Sequence, residues 1–297
     1  MNRNQQLDPA KPRWLIAADI GNHGIKIERR PGDRPVAASP GPRLTISSAV
    51  APPDSLANWL PAEPAYWLVA TVRRDAQQRL AQWVRQHRPQ DAYCRLTQPM
   101  VPIPVDLDNP GQVGVDRLLA AFATLEHEPD RCDRIVVDAG SAITVDRVSS
   151  EGVFEGGAIF PGLGMMGAML ARQTDQLPEI GRIAAADLPP VVGRSTVAAI
   201  QSGLYWGTVG AVRELVRRMS AEAGERVPVF VTGGDGGLLA PPLGLSVRHV
   251  SNLVLDGIVA TYRHPRHEQR IFPGPPREGA PLSRPPSAGG QDMSGFA

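Results

Sequence analysis

Cysteine is almost missing from the 297 residues: Cys94 and Cys132 lie 38 positions apart, with no CxxC and no Cys/His ligand spacing. That excludes a disulfide framework and a structural zinc site, and leaves two ordinary thiols of a reducing compartment. Lysine is equally scarce. It occurs only at Lys11 and Lys26, so 29 of the 31 basic residues are arginine. A dominant charge is missing as well: 31 basic against 30 acidic residues leave a formal net charge of +1, which argues against nucleic acid or an anionic membrane as a partner. Long hydrophobic runs are absent too. The uncharged stretch 156–171 contains Pro161 and falls short of a bilayer span, and the apolar run 14–20 is too short for a secretory segment. These absences point to a cytoplasmic protein.

What is present permits a cleft enzyme. At about 150 residues per domain the length suggests two domains, and 42% hydrophobic residues can fill two cores. The expected division is a polar leader over 1–12, domains over 13–130 and 131–263, and a Pro/Gly-rich disordered tail over 264–297. The pattern predicts a strand over 14–18, a turn carrying Asp19-Ile20-Gly21-Asn22-His23-Gly24, and an outgoing strand over 25–29. The second half repeats this plan, with a strand over 134–137, the turn Asp138-Ala139-Gly140-Ser141-Ala142 and a strand over 143–146. The two D-x-G turns begin 119 residues apart, an interval that suggests duplication of a small α/β unit. Further strands are expected over 44–50, 67–71 and 227–231. Helices are expected over 75–87, from Leu118 onward, within 193–218 and over 253–262.

Asp at a strand end with Gly two residues later has a specific use when two such turns face each other. Glycine lets backbone N–H groups approach phosphate oxygens, and aspartate can hold a hydrated cation that bridges them. A third glycine-rich strand end, Thr232-Gly233-Gly234-Asp235-Gly236-Gly237, offers a flat surface for a purine. Taken singly, each is an ordinary tight turn. Likewise Asp116 reads alone as a helix cap, and Arg117 as a surface ion pair.

In order along the chain, DIGN (19–22) with Lys26, NPGQVGVDR (109–117), VVDAGSAITVD (136–146), GGAIFPGL (156–163), GRSTVAAIQSG (193–203) and TGGDGGLL (232–239) resemble type III pantothenate kinase. The resemblance implies the α/β fold of the acetate and sugar kinase, Hsp70 and actin superfamily. That fold has two RNase H-like domains with a nucleotide cleft between them, and the family is homodimeric. It implies transfer of phosphate from ATP to pantothenate, with Mg²⁺ and a monovalent cation, K⁺ or NH₄⁺, as the first step toward coenzyme A. Position by position it implies ATP contacts at Asp19, Ile20, Gly21, Asn22, His23, Gly24, Ile25, Lys26, Ser141, Gly233 and Gly234. It places pantothenate at Leu107, Gly114, Val115, Asp116, Arg117 and Thr196, with Asp116 as base and Arg117 facing the substrate carboxylate. Asp138 would ligate the monovalent cation, and Asp19 would reach Mg²⁺ through water. Asp108 is close by but outside the matched segment.

Three positions depart from the family pattern. His23 stands where Thr or Ser is usual, Ser141 where Thr is usual, and Leu107 where Tyr is frequent. A hydrogen bond to a charged partner contributes about 1.5–3 kcal/mol, roughly tenfold to a hundredfold in affinity, and an imidazole can restore part of it. Two further readings therefore stand beside the first: a catalytically weakened regulatory relative resembling transcriptional accessory factors, and a kinase of another small alcohol.

Overall fold

The computed structural model describes residues 12–32, 41–223, 227–244 and 247–265. The leader and the tail, apart from their innermost residues, lie outside the described residues. Strands β1 (Trp14–Ile20), β2 (Gly24–Pro31) and β3 (Arg43–Ser47) form an antiparallel meander. On the other side of β1, strands β4 (Ala65–Thr71) and β5 (Ala92–Arg95) add in parallel, giving the order β3-β2-β1-β4-β5. A short helix α1 (Leu56–Trp59) precedes β4, α2 (Arg74–His87) joins β4 to β5, and α3 (Val115–His127) leads to the second half.

There the plan recurs. Strands β6 (Arg134–Ala139), β7 (Ala142–Val148) and β8 (Phe154–Pro161) form the meander, followed by helices α4 (Leu163–Gln173) and α5 (Thr196–Ala223). Strand β9 (Val229–Thr232), helix α6 (Gly236–Leu243), strand β10 (Val247–His249) and helix α7 (Leu253–Arg263) complete it. The sheet reads β8-β7-β6-β9-β10, the order of the first sheet, with the same three antiparallel and two parallel strands. The expected α/β fold of two like units is thus present.

Strand periodicity explains both the layers and the site. Side chains alternate between faces, so Ile16, Ala18 and Ile20 of β1 pack outward on Leu80, Trp83 and Val84 of α2. Leu15 and Ala17 point the other way, into a central core shared with α3, α7 and the inner face of the second sheet, including Val136, Val148 and Phe230. Ile135, Val137 and Ala139 face a third core with α5 and α6. Helices α3 and α7 therefore lie between the sheets. They cross closely at Gly257, where a Cβ would fall on the backbone of Leu119.

Several elements went unforeseen. Strand β8 is hidden by its adjacent glycines, and α4 by exposed methionines that blur its apolar face. In α6, Pro241 and Pro242 look like breakers yet fall in the last turn. The helix-cap reading of Asp116 is corrected: Gly114 is the N-cap of α3, no side chain caps it, and Asp116 lies in the first turn. Arg117 is likewise not a surface ion pair, because its partner Asp146 is buried.

Candidate active site

The inward faces of both sheets change character along their strands. On β1 the series Leu15, Ala17 ends in Asp19, and on β6 Val136 is followed by Asp138. The same alternation that builds the central core therefore brings carboxylates to its rim. Lys26 pairs directly with Asp19 across the β1–β2 hairpin. Asp116, from the first turn of α3, joins them. Its carboxylate folds back over Gly114, where a Cβ would overlap its Oδ1, and that oxygen accepts the Arg117 N–H at 2.9 Å.

The electrostatics follow from this crowding. Desolvation by burial is the main cause that pushes Asp19 up to about 7; Lys26 counteracts it, and the Asp116 and Asp138 charges add to it. Asp138 is pushed up to about 6, again chiefly by desolvation, with Asp116 and Asp146 adding and Lys26 opposing. Burial also raises Asp116, against the stabilising backbone N–H of Arg117. Carboxylates that repel one another in a shielded place favour a cation beside them. Among the described residues, however, no three His, Cys, Asp or Glu side chains are arranged to hold a metal ion directly.

Both D-x-G turns are held firmly. In the first, Gly21 N–H donates to Gly24 O at 3.0 Å, while Asn22 O accepts from Ser48 Oγ at 2.9 Å and from Arg73 Nη1 at 2.7 Å. In the second, Gly140 N–H donates to Ala142 O at 3.0 Å, and Gly162 N–H to Ser141 O at 3.0 Å. A Cβ at Gly162 would overlap the carbonyl of Gly140, so the end of β8 buttresses this turn. The third glycine-rich turn presses on the second: Asp235 N–H donates to Ala139 O at 2.9 Å, and Gly233, at φ +91°, has no room for a side chain. Arg182 reaches over it, donating to Gly234 O at 2.8 Å and Asp235 Oδ1 at 2.6 Å. Across the gap between the first two turns, His23 Nδ1 and Ser141 Oγ are hydrogen-bonded at 2.8 Å.

The structure thus gathers Asp19, Lys26, Asp116 and Asp138 in one electrostatic group, with the first turn (Ile20 to Gly24, leading into Ile25) and Ser141 at its edge. Gly233 and Gly234 lie against the second turn. Gly114, Val115 and Arg117 share the α3 N-terminus with the base candidate. Leu107 packs against the central core, with its Cδ2 beside Gly156, and presents no polar atom. Thr196 is exposed at the start of α5. Val191, Val192 and Val197, near it in sequence, are exposed as well. Sequence reasoning passed over Ser48, Arg73, Gly162 and Arg182, whose roles depend on contacts 20 or more residues away in the chain.

The profile of a family described as type III pantothenate kinase matches residues 15–218. A type III pantothenate kinase from Dehalococcoides mccartyi is 43% identical over 161 residues, covering 54% of this chain and 60% of that protein. One from Pelobacter propionicus is 37% identical over 164 residues, covering 55% and 63%. One from Rhodopirellula baltica is 44% identical over 145 residues, covering 48% and 51%. The chain matches little more than half the length of these relatives. A solved structure of a putative 2-dehydro-3-deoxygalactonokinase from Sinorhizobium meliloti superposes with a TM-score of 0.50 at 13% identity, over 90% of this chain and all of that one. At that identity the likeness concerns the fold.

Proposed function

The chain belongs to the type III pantothenate kinase family, and from that premise we propose that it transfers the γ-phosphoryl group of ATP to the primary hydroxyl of pantothenate, giving 4′-phosphopantothenate and ADP. The observation that carries this reading is the convergence of Asp19 and Asp138, one from each sheet, on Asp116 at the rim of the shared core.

In the proposed reaction the two D-x-G turns receive the phosphates through backbone N–H groups, with Lys26, His23 and Ser141 beside them. Gly233 and Gly234 lie near the adenosine. Mg²⁺, when bound, neutralises phosphate charge as the phosphoryl group moves. Asp19 would meet it through water, and Asp138 would take K⁺ or NH₄⁺. Asp116 accepts the proton of the hydroxyl as its oxygen bonds to the γ-phosphorus and the bond to the leaving ADP oxygen breaks. A carboxyl raised by burial is the stronger base once ionised. Arg117 holds the carboxylate of pantothenate, so that both ends of the acceptor are fixed from one turn of α3.

A homodimer fits the same reading. Ile159, Met165, Met169, Leu188, Val191 and Val192 are exposed on the second unit, an apolar surface that a second copy would cover. On this reading Thr196, also exposed, would reach the pocket of a partner subunit. We place the boundary between the units at 130/131, in the segment joining α3 to β6. Among the described residues no helix is long and apolar enough to cross a membrane.

The test is a coupled ADP-release assay with ATP, Mg²⁺ and pantothenate, with and without K⁺, beside a panel of other small alcohols. Turnover confined to pantothenate and stimulated by K⁺ is expected. Nucleotide binding without turnover of any alcohol would overturn the assignment in favour of a regulatory protein, and preference for another alcohol would correct the substrate.

A further inference from the structure

Asp146 is a buried carboxylate that the proposed reaction does not use. It lies on β7, 1% exposed, with its Cα opposite Gly157 of β8. Glycine is needed there, because a Cβ at 157 would overlap the carbonyl oxygen of Val145 and press on the Cα and Oδ1 of Asp146. An ionised group in such a place must be paired. Its partner is Arg117: Nε donates to Oδ1 at 3.2 Å and to Oδ2 at 3.1 Å, and Nη2 donates to Oδ1 as well.

The pairing is directional. A guanidinium has five N–H donors in a fixed planar arrangement. Asp146 engages its Nε/Nη2 side, and the Nη1/Nη2 end points away from that carboxylate. The Phe154 ring, its centroid 5.4 Å from Arg117 Cζ, restrains the plane from another direction. Meanwhile the backbone N–H of Arg117 donates to Asp116 Oδ1. One carboxylate on the second sheet therefore fixes the residue that orients the base candidate on α3.

We propose that Asp146 is a positioning residue for the acceptor substrate: by holding one side of the Arg117 guanidinium it presents the other end to the carboxylate of the alcohol being phosphorylated. The proposal rests on the pantothenate reading of the site. It requires neither Asp146 to touch substrate nor the nucleotide to sense its loss.

The experiment measures KM for pantothenate and for ATP separately in wild type, Asp146→Asn, Arg117→Met and the double variant, with thermal melts alongside. Asp146→Asn is expected to raise the pantothenate KM about tenfold to a hundredfold, the loss associated with a charge-assisted hydrogen bond, while the ATP KM stays within about twofold. In the Arg117→Met background the same substitution should change the pantothenate KM by less than about twofold, since the group it positions is gone. Asp146 acting only in folding would lower the melting temperature and the apparent kcat while leaving the pantothenate KM unchanged, or, by distorting the whole site, raise both KM values together. That result, or an unchanged pantothenate KM in a wild-type-like Asp146→Asn, overturns the proposal while leaving the kinase assignment intact. If Asp146→Asn alone fails to fold, the double variant decides: a pantothenate KM equal to that of Arg117→Met supports positioning, and a higher one, or failure to fold, overturns it. A wild type that turns over other alcohols but not pantothenate overturns both readings together.

Discussion

His23 Nδ1 and Ser141 Oγ, 118 residues apart in sequence, are hydrogen-bonded at 2.8 Å across the gap between the two D-x-G turns. Two of the three positions that depart from the family pattern are thus partners. An imidazole reaches further than a threonine hydroxyl, and the opposing serine receives it.

That pairing predicts coupled effects on nucleotide binding. His23→Ala and Ser141→Ala should each raise the ATP KM about tenfold, and the double variant should be no worse than the poorer single one. ATP titrations of the three variants would check this; additive losses would mean that the two residues meet the nucleotide independently.

Asp116→Asn should lower kcat by about 10²- to 10⁴-fold, the usual range for a lost general base, without lowering the melting temperature. Replacing a buried, raised carboxyl by its neutral isostere does not remove a favourable charge. Steady-state rates and circular dichroism melts would test both parts.

The pH dependence of stability has a definite sign. Asp138 binds its proton more tightly in the folded chain, with its pKa moved from 3.8 to about 6. A raised carboxyl disfavours the folded state as it ionises, so its cost is absent below about pH 4 and grows as pH rises through 6. Without nucleotide or added cations, Asp138→Asn should melt close to wild type at pH 4 and above it at pH 8. A gap that shrinks with pH would contradict the electrostatic account.

Gly257→Ala should destabilise the chain by about 1–3 kcal/mol, because the new methyl meets the Leu119 backbone where α3 and α7 cross. For a chain of this size that lowers the melting temperature by about 2–4 °C per kcal/mol. Denaturant titration would show it as a lower midpoint at unchanged slope.

In the proposed homodimer, Ile159→Arg should leave the fold intact and yield a monomer, since it places a charge at an exposed apolar position of β8. Sedimentation or size-exclusion chromatography would read the change, and a variant as large as wild type would move the interface elsewhere.

The fold was legible where alternation and turn chemistry agree, as in β1, β2, β6 and β7, each framed by an Asp-x-Gly turn. Most expected elements lay within two or three residues of their observed ends. Strand β8 escaped because Gly156 and Gly157 carry no side chain to alternate. Its glycines are explained by the positive φ of Gly156 beside Leu107, and by the Val145 carbonyl and Asp146 that lie against Gly157. The site was legible as residue types and order, but not as contacts. Nothing local in Arg117 indicates Asp146, and nothing near Asn22 indicates that Arg73 holds its carbonyl.

The crossing of α3 and α7 leaves no side chain between Gly257 and Leu119 to act as a bearing. Beside it, Asp256 of α7 binds Arg30 at 3.1 Å and His127 of α3 at 3.1 Å, while Glu28 binds both Arg30 and Arg43. Arg30 stands six residues along β2 from Gly24, about 20 Å at strand rise. This cluster ties the first sheet to α7 and α3 at one end, while His23 and Ser141 meet at the other. A small rotation about the ion-paired end would carry the turns of His23 and Ser141 furthest apart, since the displacement grows with distance from the pivot.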